Sequence, residues 1–215
     1  MRQSRNSGLI LSNNKGFTLI EMAIVLIIIG IIIGAVVKGK DVVKSAEQKR
    51  LYTTFVREWQ MIFNNYYDRT GRILADCASA DNTPAAGDPR DGYCNAAITV
   101  ANLESQLTSV GLKAPAQGPS GSSLARTYND SEGILRSLTL AFDWKANLGN
   151  FIKVSGIPND LGMAWDRIVD GEMDGSSGDL IYSADTTAAE PVTAIWPTAS
   201  TAPAANSAAM LRLQF

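Results

Sequence analysis

Three groups of residues in this sequence could do chemistry. Glu21 is the one charged residue in the run 17–37, FTLIEMAIVLIIIGIIIGAVV. A carboxylate inside an apolar span costs about 3 kcal/mol and is usually kept for a partner or a function. Lys15-Gly16 stands directly before that run, and a cut between Gly16 and Phe17 would create an α-amine at Phe17, a cation for Glu21. Cys77 and Cys94 are the only cysteines. Asp170, Glu172, Asp174 and Asp179 gather around Gly171, Gly175 and Gly178. Histidine is absent, which excludes Ser-His-Asp and Cys-His catalysis and histidine metal ligation.

Each group has a plain reading beside a chemical one. Phe17 and Glu21 share a helix face, but terminal fraying makes an amine–carboxylate pair within one chain weak. Between two copies offset along an axis, the same pair would sit in an apolar setting and favour one offset. Asp170, Glu172 and Asp174 alternate ahead of Gly175, as in the first half of a calcium loop. Ile181 then stands where a bidentate glutamate belongs, leaving Asp179 as the substitute ligand. The same stretch also reads as a helix-to-strand turn, the commoner use. Paired acids can mark a glycosidase, but no carbohydrate-stacking constellation accompanies these.

These residues need elements to position them. At about 1.5 Å per residue, residues 17–37 span roughly 30 Å, the thickness of a bilayer core. A secretory signal would have a shorter apolar stretch ending in small residues, whereas Lys38-Gly39-Lys40 follows here. Residues 1–16 form a basic leader with Arg2, Arg5 and Lys15 and no acid. Beyond the apolar run, Tyr52, Phe55, Val56, Trp59, Ile62, Phe63 and Tyr66 recur at three- and four-residue spacing. That periodicity predicts one helix over 17–68 with an apolar stripe against a core, stopped at Thr70-Gly71.

The heptapeptide Lys15-Gly16-Phe17-Thr18-Leu19-Ile20-Glu21 resembles the processing signature of type IV prepilins and type II secretion pseudopilins. The resemblance runs from Lys15 to about Asp76. It implies that a membrane prepilin peptidase cuts after Gly16 and methylates Phe17, and that Glu21 registers one subunit on another. It implies a structural filament subunit rather than an enzyme, a pilin or a minor pilin or pseudopilin. Such a subunit is held in the bacterial inner membrane by a single pass, then in a periplasmic or extracellular filament. The implied partners are like or related filament subunits, the peptidase and an inner-membrane assembly platform, with no direct nucleic-acid partner. Two departures stand out. Many such pilins carry a proline some twenty residues into the helix, and here the first is Pro84. Leu74-Ala75 also stands where Pro-Gly is common. Helix flexibility would then rest on Gly30, Gly34 and Gly39, each costing about 1 kcal/mol in a helix interior.

The head, residues 69–215, reads as α+β: the long membrane-spanning helix laid on a small, mostly antiparallel sheet. A short helix is expected over 102–110 with Asn102 as cap, and a second over 161–169. Leu138, Leu140, Phe142 and Trp144 alternate across 137–144, a half-buried strand. Shorter strands are expected at 151–154, 180–183, 192–196 and 211–215. With the head outside the cytoplasm, a Cys77–Cys94 disulfide would close the polar loop 78–93, worth about 3 kcal/mol; two free buried thiols are the alternative. No cofactor is implied beyond the calcium option. Acids outnumber bases from Ile73 onward, while the whole chain carries a formal net charge of −2, which gives no bias toward nucleic acid. Two other functions compete with filament assembly: a single-pass, membrane-anchored extracytoplasmic binding domain, and a tethered hydrolase. The Lys-Gly-Phe signature with Glu21 separates assembly from the first. The lack of histidine and of a nucleophile motif speaks against the second.

Overall fold

A computed structural model describes residues 16–185, 194–197 and 207–214. The leader up to Lys15, residues 192 and 193 of the expected strand 192–196, and Phe215 lie outside the described residues; 194–196 form no strand. The chain divides into two compact units, Met1–Lys44 and Ser45–Phe215.

Helix α1 is Leu19–Leu51. Its large apolar side chains across residues 17–37 are all exposed, Leu19 at 92% and Ile31 at 68%. Such a surface calls for apolar surroundings. By length and composition the helix can cross a membrane.

In the second unit the helix continues through a π-helical turn, Tyr52–Val56, into α2, Arg57–Thr70. The extra residue of a π turn shifts the side-chain stripe around the axis, and here Tyr52, Phe55, Val56, Trp59, Ile62, Phe63 and Tyr66 all end buried. Gly71 ends the helix in the left-handed conformation at φ 64°, its N–H donating to the Tyr67 carbonyl at 2.7 Å. That is the stop expected at Thr70-Gly71, since a glycine meets no Cβ penalty there.

The sheet has five antiparallel strands in the order β1-β2-β3-β5-β4. They are β1 Ala125–Asn129, β2 Leu135–Lys145, β3 Gly149–Ser155, β4 Leu180–Ser183 and β5 Ala208–Arg212. Leu138, Leu140 and Phe142 of β2 face the same core as Ile152 and Val154 of β3. Phe142 meets Trp59 edge-on at 5.6 Å and stacks on Phe63 at 5.8 Å. Buried indole N–H groups need acceptors: Trp59 donates to the Ser123 carbonyl and Trp165 to that of Gln48. The arrangement is α+β, a long apolar N-terminal helix with a small antiparallel sheet.

Three expectations shift. Helix α3 is Val100–Ser109, begun by the Thr99 side chain accepting from the Asn102 amide at 3.2 Å. Asn102 therefore lies inside the helix, and its own side chain donates to the Ala78 carbonyl. The last strand, β5, sits at Ala208–Arg212 rather than 211–215, because its register pairs Leu211 with both Ile152 and Leu180. Strand β1 was not expected: it presents Tyr128 as its only fully buried side chain. Helix α4, Asn159–Val169, lies where a second short helix was expected.

Candidate functional site

The signature residues lie at the start of α1. Gly16, Phe17 and Thr18 precede the helix without regular structure, and Phe17 is 82% exposed. Glu21 lies in the first helical turn. Its Oε2 accepts from the Thr18 amide at 2.7 Å and from the Thr18 hydroxyl at 2.8 Å. In return, the Glu21 amide donates to Thr18 Oγ1 at 3.3 Å. This reciprocal pattern is a capping box, in which side chains satisfy amides that the first turn leaves without carbonyl partners. Glu21 thus has two neutral donors before any second subunit is present. The Thr-x-x-Glu spacing in Thr18-Leu19-Ile20-Glu21 carries that signal, and charge-pair reasoning alone passes over it. Gly16 and Phe17 are exposed outside the helix.

The acidic stretch has the geometry of a turn. Both Asp170 carboxylate oxygens are taken by backbone amides, Oδ1 by Asp179 and Oδ2 by Leu180, each at 2.9 Å. Gly178, at φ 92°, lets that close approach occur: a Cβ there would lie 2.5 Å from the Asp170 carboxylate carbon. Asp174 turns to the amides and hydroxyls of Ser176 and Ser177, which hold its carboxyl below its ordinary value. Asp179 accepts from the Gln214 side chain, and Glu172 is exposed. The three aspartates serve separate partners, and no three metal-binding side chains converge among the described residues. Millimolar calcium or chelator should therefore leave the melting temperature unchanged. A calcium-dependent rise of several degrees, by mass action, would restore the calcium loop.

The same turn holds a carboxyl that sequence reasoning missed. Asp166 is fully buried. Its Oδ2 accepts from Gly175 N–H and Trp196 Nε1, both at 2.9 Å. Trp196 in turn fits against Gly162 so closely that a Cβ on that glycine would fall 2.1 Å from the indole ring. Burial raises the Asp166 carboxyl from its ordinary 3.8 to about 6, opposed by the Trp196 and Gly175 hydrogen bonds and assisted by Asp170. A raised acid binds its proton more tightly in the folded state, so its stabilising contribution is present at low pH and lost as pH rises through about 6. The stability of wild type relative to Asp166→Asn should thus fall between about pH 4 and 6. Denaturant melts of both proteins across that range check it, and a flat difference would contradict it.

The cysteines are free thiols in the structure, and the expected disulfide is not formed. Cys77 donates its amide to Asn82 Oδ1, and Cys94 donates its amide to Asn150 Oδ1 and its thiol to the Leu74 carbonyl. Burial raises both thiols above their ordinary values. The loop they flank is held instead by buried polar groups, Asn82 and Gln106 foremost. Asn82 Nδ2 donates to Tyr66 Oη and the Ile73 carbonyl. The Gln106 amide bridges to the carbonyls of Cys77 and Ser79 and accepts from the Ala75 N–H.

Comparison with known families adds one finding. The family described as the prokaryotic N-terminal methylation motif matches residues 11–37. No curated protein and no solved structure matches the chain.

Proposed function

From a chain that carries the prepilin-type N-terminal signature, we propose a structural filament subunit. The signature itself implies processing by a prepilin peptidase and assembly into pilus-like filaments in general. The specific reading is a pilin, minor pilin or pseudopilin of a type IV pilus-like or type II secretion filament. The leader 1–16 is removed, residues 17–37 hold the chain in the bacterial inner membrane, and residues 69–215 form the head outside the cytoplasm. Phe17 becomes the methylated terminus and Glu21 the registering charge.

One observation carries this reading. Cut site, Glu21 and apolar run occur in fixed order at the start of α1, whose large apolar side chains are exposed up to Val37. In a lipid bilayer those side chains are satisfied by acyl chains, and in a filament core by other copies of α1. In lipid Thr18 supplies Glu21 with hydrogen bonds, and a charged partner would satisfy it further. The test is recovery of the protein, expressed with its own assembly genes, from filaments sheared from the cell surface or purified from the periplasm. Processed protein in the filament fraction supports the proposal. Processed protein confined to the membrane would favour the membrane-anchored binding domain.

A further inference from the structure

Two clefts share a close aromatic pair on the second unit. Tyr93 and Trp144 have ring centroids 4.1 Å apart with planes 30° from parallel. Tyr93 is 43% exposed and Trp144 partly so. A core aromatic pair would be buried; this one stands open at the mouths of cavities of about 430 Å³ and 530 Å³. The pair is positioned from two elements: Trp144 ends β2, and Tyr93 sits in the loop that Asn150 ties to β3 through Gly92 and Cys94.

The two clefts differ in charge. The larger one includes Arg72 and Arg90, whereas the smaller is lined by Asp76, Asp88, Asp91 and Asp143 and by no basic residue. Asp143 is neutralised by Lys153 at 3.2 Å. Asp76, Asp88 and Asp91 make no salt bridge among the described residues. Asp76 is the most telling. It is 97% buried, being 3% exposed, yet it lines both clefts. Its Oδ1 accepts the amides of Asp91 and Gly92, while Oδ2 accepts no hydrogen bond from any described residue. Burial raises this carboxyl above its ordinary value, and Asp91 pushes the same way. Asp76 lines the cleft, where a donor brought by a ligand can reach its carboxylate.

Open aromatic faces attract cations through the ring quadrupole. A guanidinium is planar, stacks on such rings and presents paired donors to carboxylates. We propose that the cleft formed by Tyr93, Trp144, Asp76, Asp88 and Asp91 binds an arginine side chain of a basic partner peptide. The ring pair takes the guanidinium face, and Asp76 Oδ2 and the Asp91 carboxylate take its N–H groups. Neutral sugars also stack on aromatic rings, but a cleft lined by carboxylates and by no basic side chain favours a cation.

Titration of the detergent-solubilised full chain with triarginine tests the proposal. Trp59, Trp165 and Trp196 are buried, so a change in tryptophan emission on titration reports Trp144. Saturable binding is expected, weakened by added salt through screening. Tyr93→Ala should reduce affinity roughly fivefold, and Asp91→Asn should reduce both affinity and its salt dependence. Trp144→Phe should abolish the emission change while calorimetry still detects binding. Asp76→Asn would remove the buried acceptor, and Asp91→Asn keeps the test sound if that variant misfolds. No heat or emission change at millimolar triarginine would overturn the proposal. So would binding indifferent to Tyr93→Ala and Asp91→Asn, or preferential binding of a neutral oligosaccharide.

Discussion

Glu21→Ala and Glu21→Gln should both yield processed protein that stays in the membrane pool and is depleted from filaments by about a hundredfold. The cut site at Gly16 is intact in both, so cleavage should proceed. What is lost is the carboxylate that would meet the Phe17 amine of a neighbouring copy. Removing one partner of a pair in a low-dielectric setting leaves the other uncompensated, at about 3–5 kcal/mol. The capping box makes the two variants informative together. Glutamine can still accept from Thr18, whereas alanine cannot, so loss with alanine alone would assign Glu21 to the helix start and not to a charge pair. Thr18→Ala is the converse control: it removes the box and keeps the charge, and it should assemble. The measurement is the filament to membrane ratio at matched expression.

The second large effect is expected at Asn82. This side chain is fully buried and links Cys77, Tyr66 and Ile73 by hydrogen bonds of 2.8 Å to 3.2 Å. Its own backbone sits at φ 57°, a left-handed conformation that asparagine tolerates better than alanine. Asn82→Ala strands three buried polar groups and strains the backbone, so it should cost about 3–5 kcal/mol. By contrast, a reductant should leave the melting temperature of the wild type unchanged, since the cysteines are free in the structure. A melting temperature that drops in reductant, with Asn82→Ala tolerated, would return the loop to a disulfide.

These two predictions also mark where sequence reading succeeded and where it stopped. Periodicity showed the long helix, β2 and α4, because apolar spacing is a local property that survives packing. Gly71 was legible as a stop for the same reason. The strand β1 was not: Arg126, Thr127 and Tyr128 show no apolar alternation, and the segment is a strand through its pairing with β2. The π-helical turn at Tyr52–Val56 left no mark in the residue pattern. Thr99 and Asn102 are both good cap residues, and the choice between them was made by Ala78, a distant carbonyl that draws the Asn102 side chain away. In the loop around Cys77, two cysteines invited a covalent answer. The structure answers with Asn82 and Gln106, whose partners lie 5 to 31 residues away along the chain. The acids after Asp166 read either as a turn or as ligands of one ion, and Asp170, Asp174 and Asp179 each serve different backbone amides or side chains. Gly16, Phe17 and Glu21 were legible because their order is linear. The Thr18 half of the capping box was equally linear and became visible only with the geometry.

The central claim is that this chain is made as a precursor and trimmed at the boundary between leader and apolar helix. It is tested most directly by the terminal peptide of the mature protein recovered from membranes of a cell that carries a prepilin peptidase. Mass spectrometry should find a chain that starts at Phe17 with a methyl group on its amine. Replacing Gly16 with a bulky residue should leave the leader attached. Recovery of protein that begins at Met1, or near Val37, in cells whose peptidase is active would contradict the account.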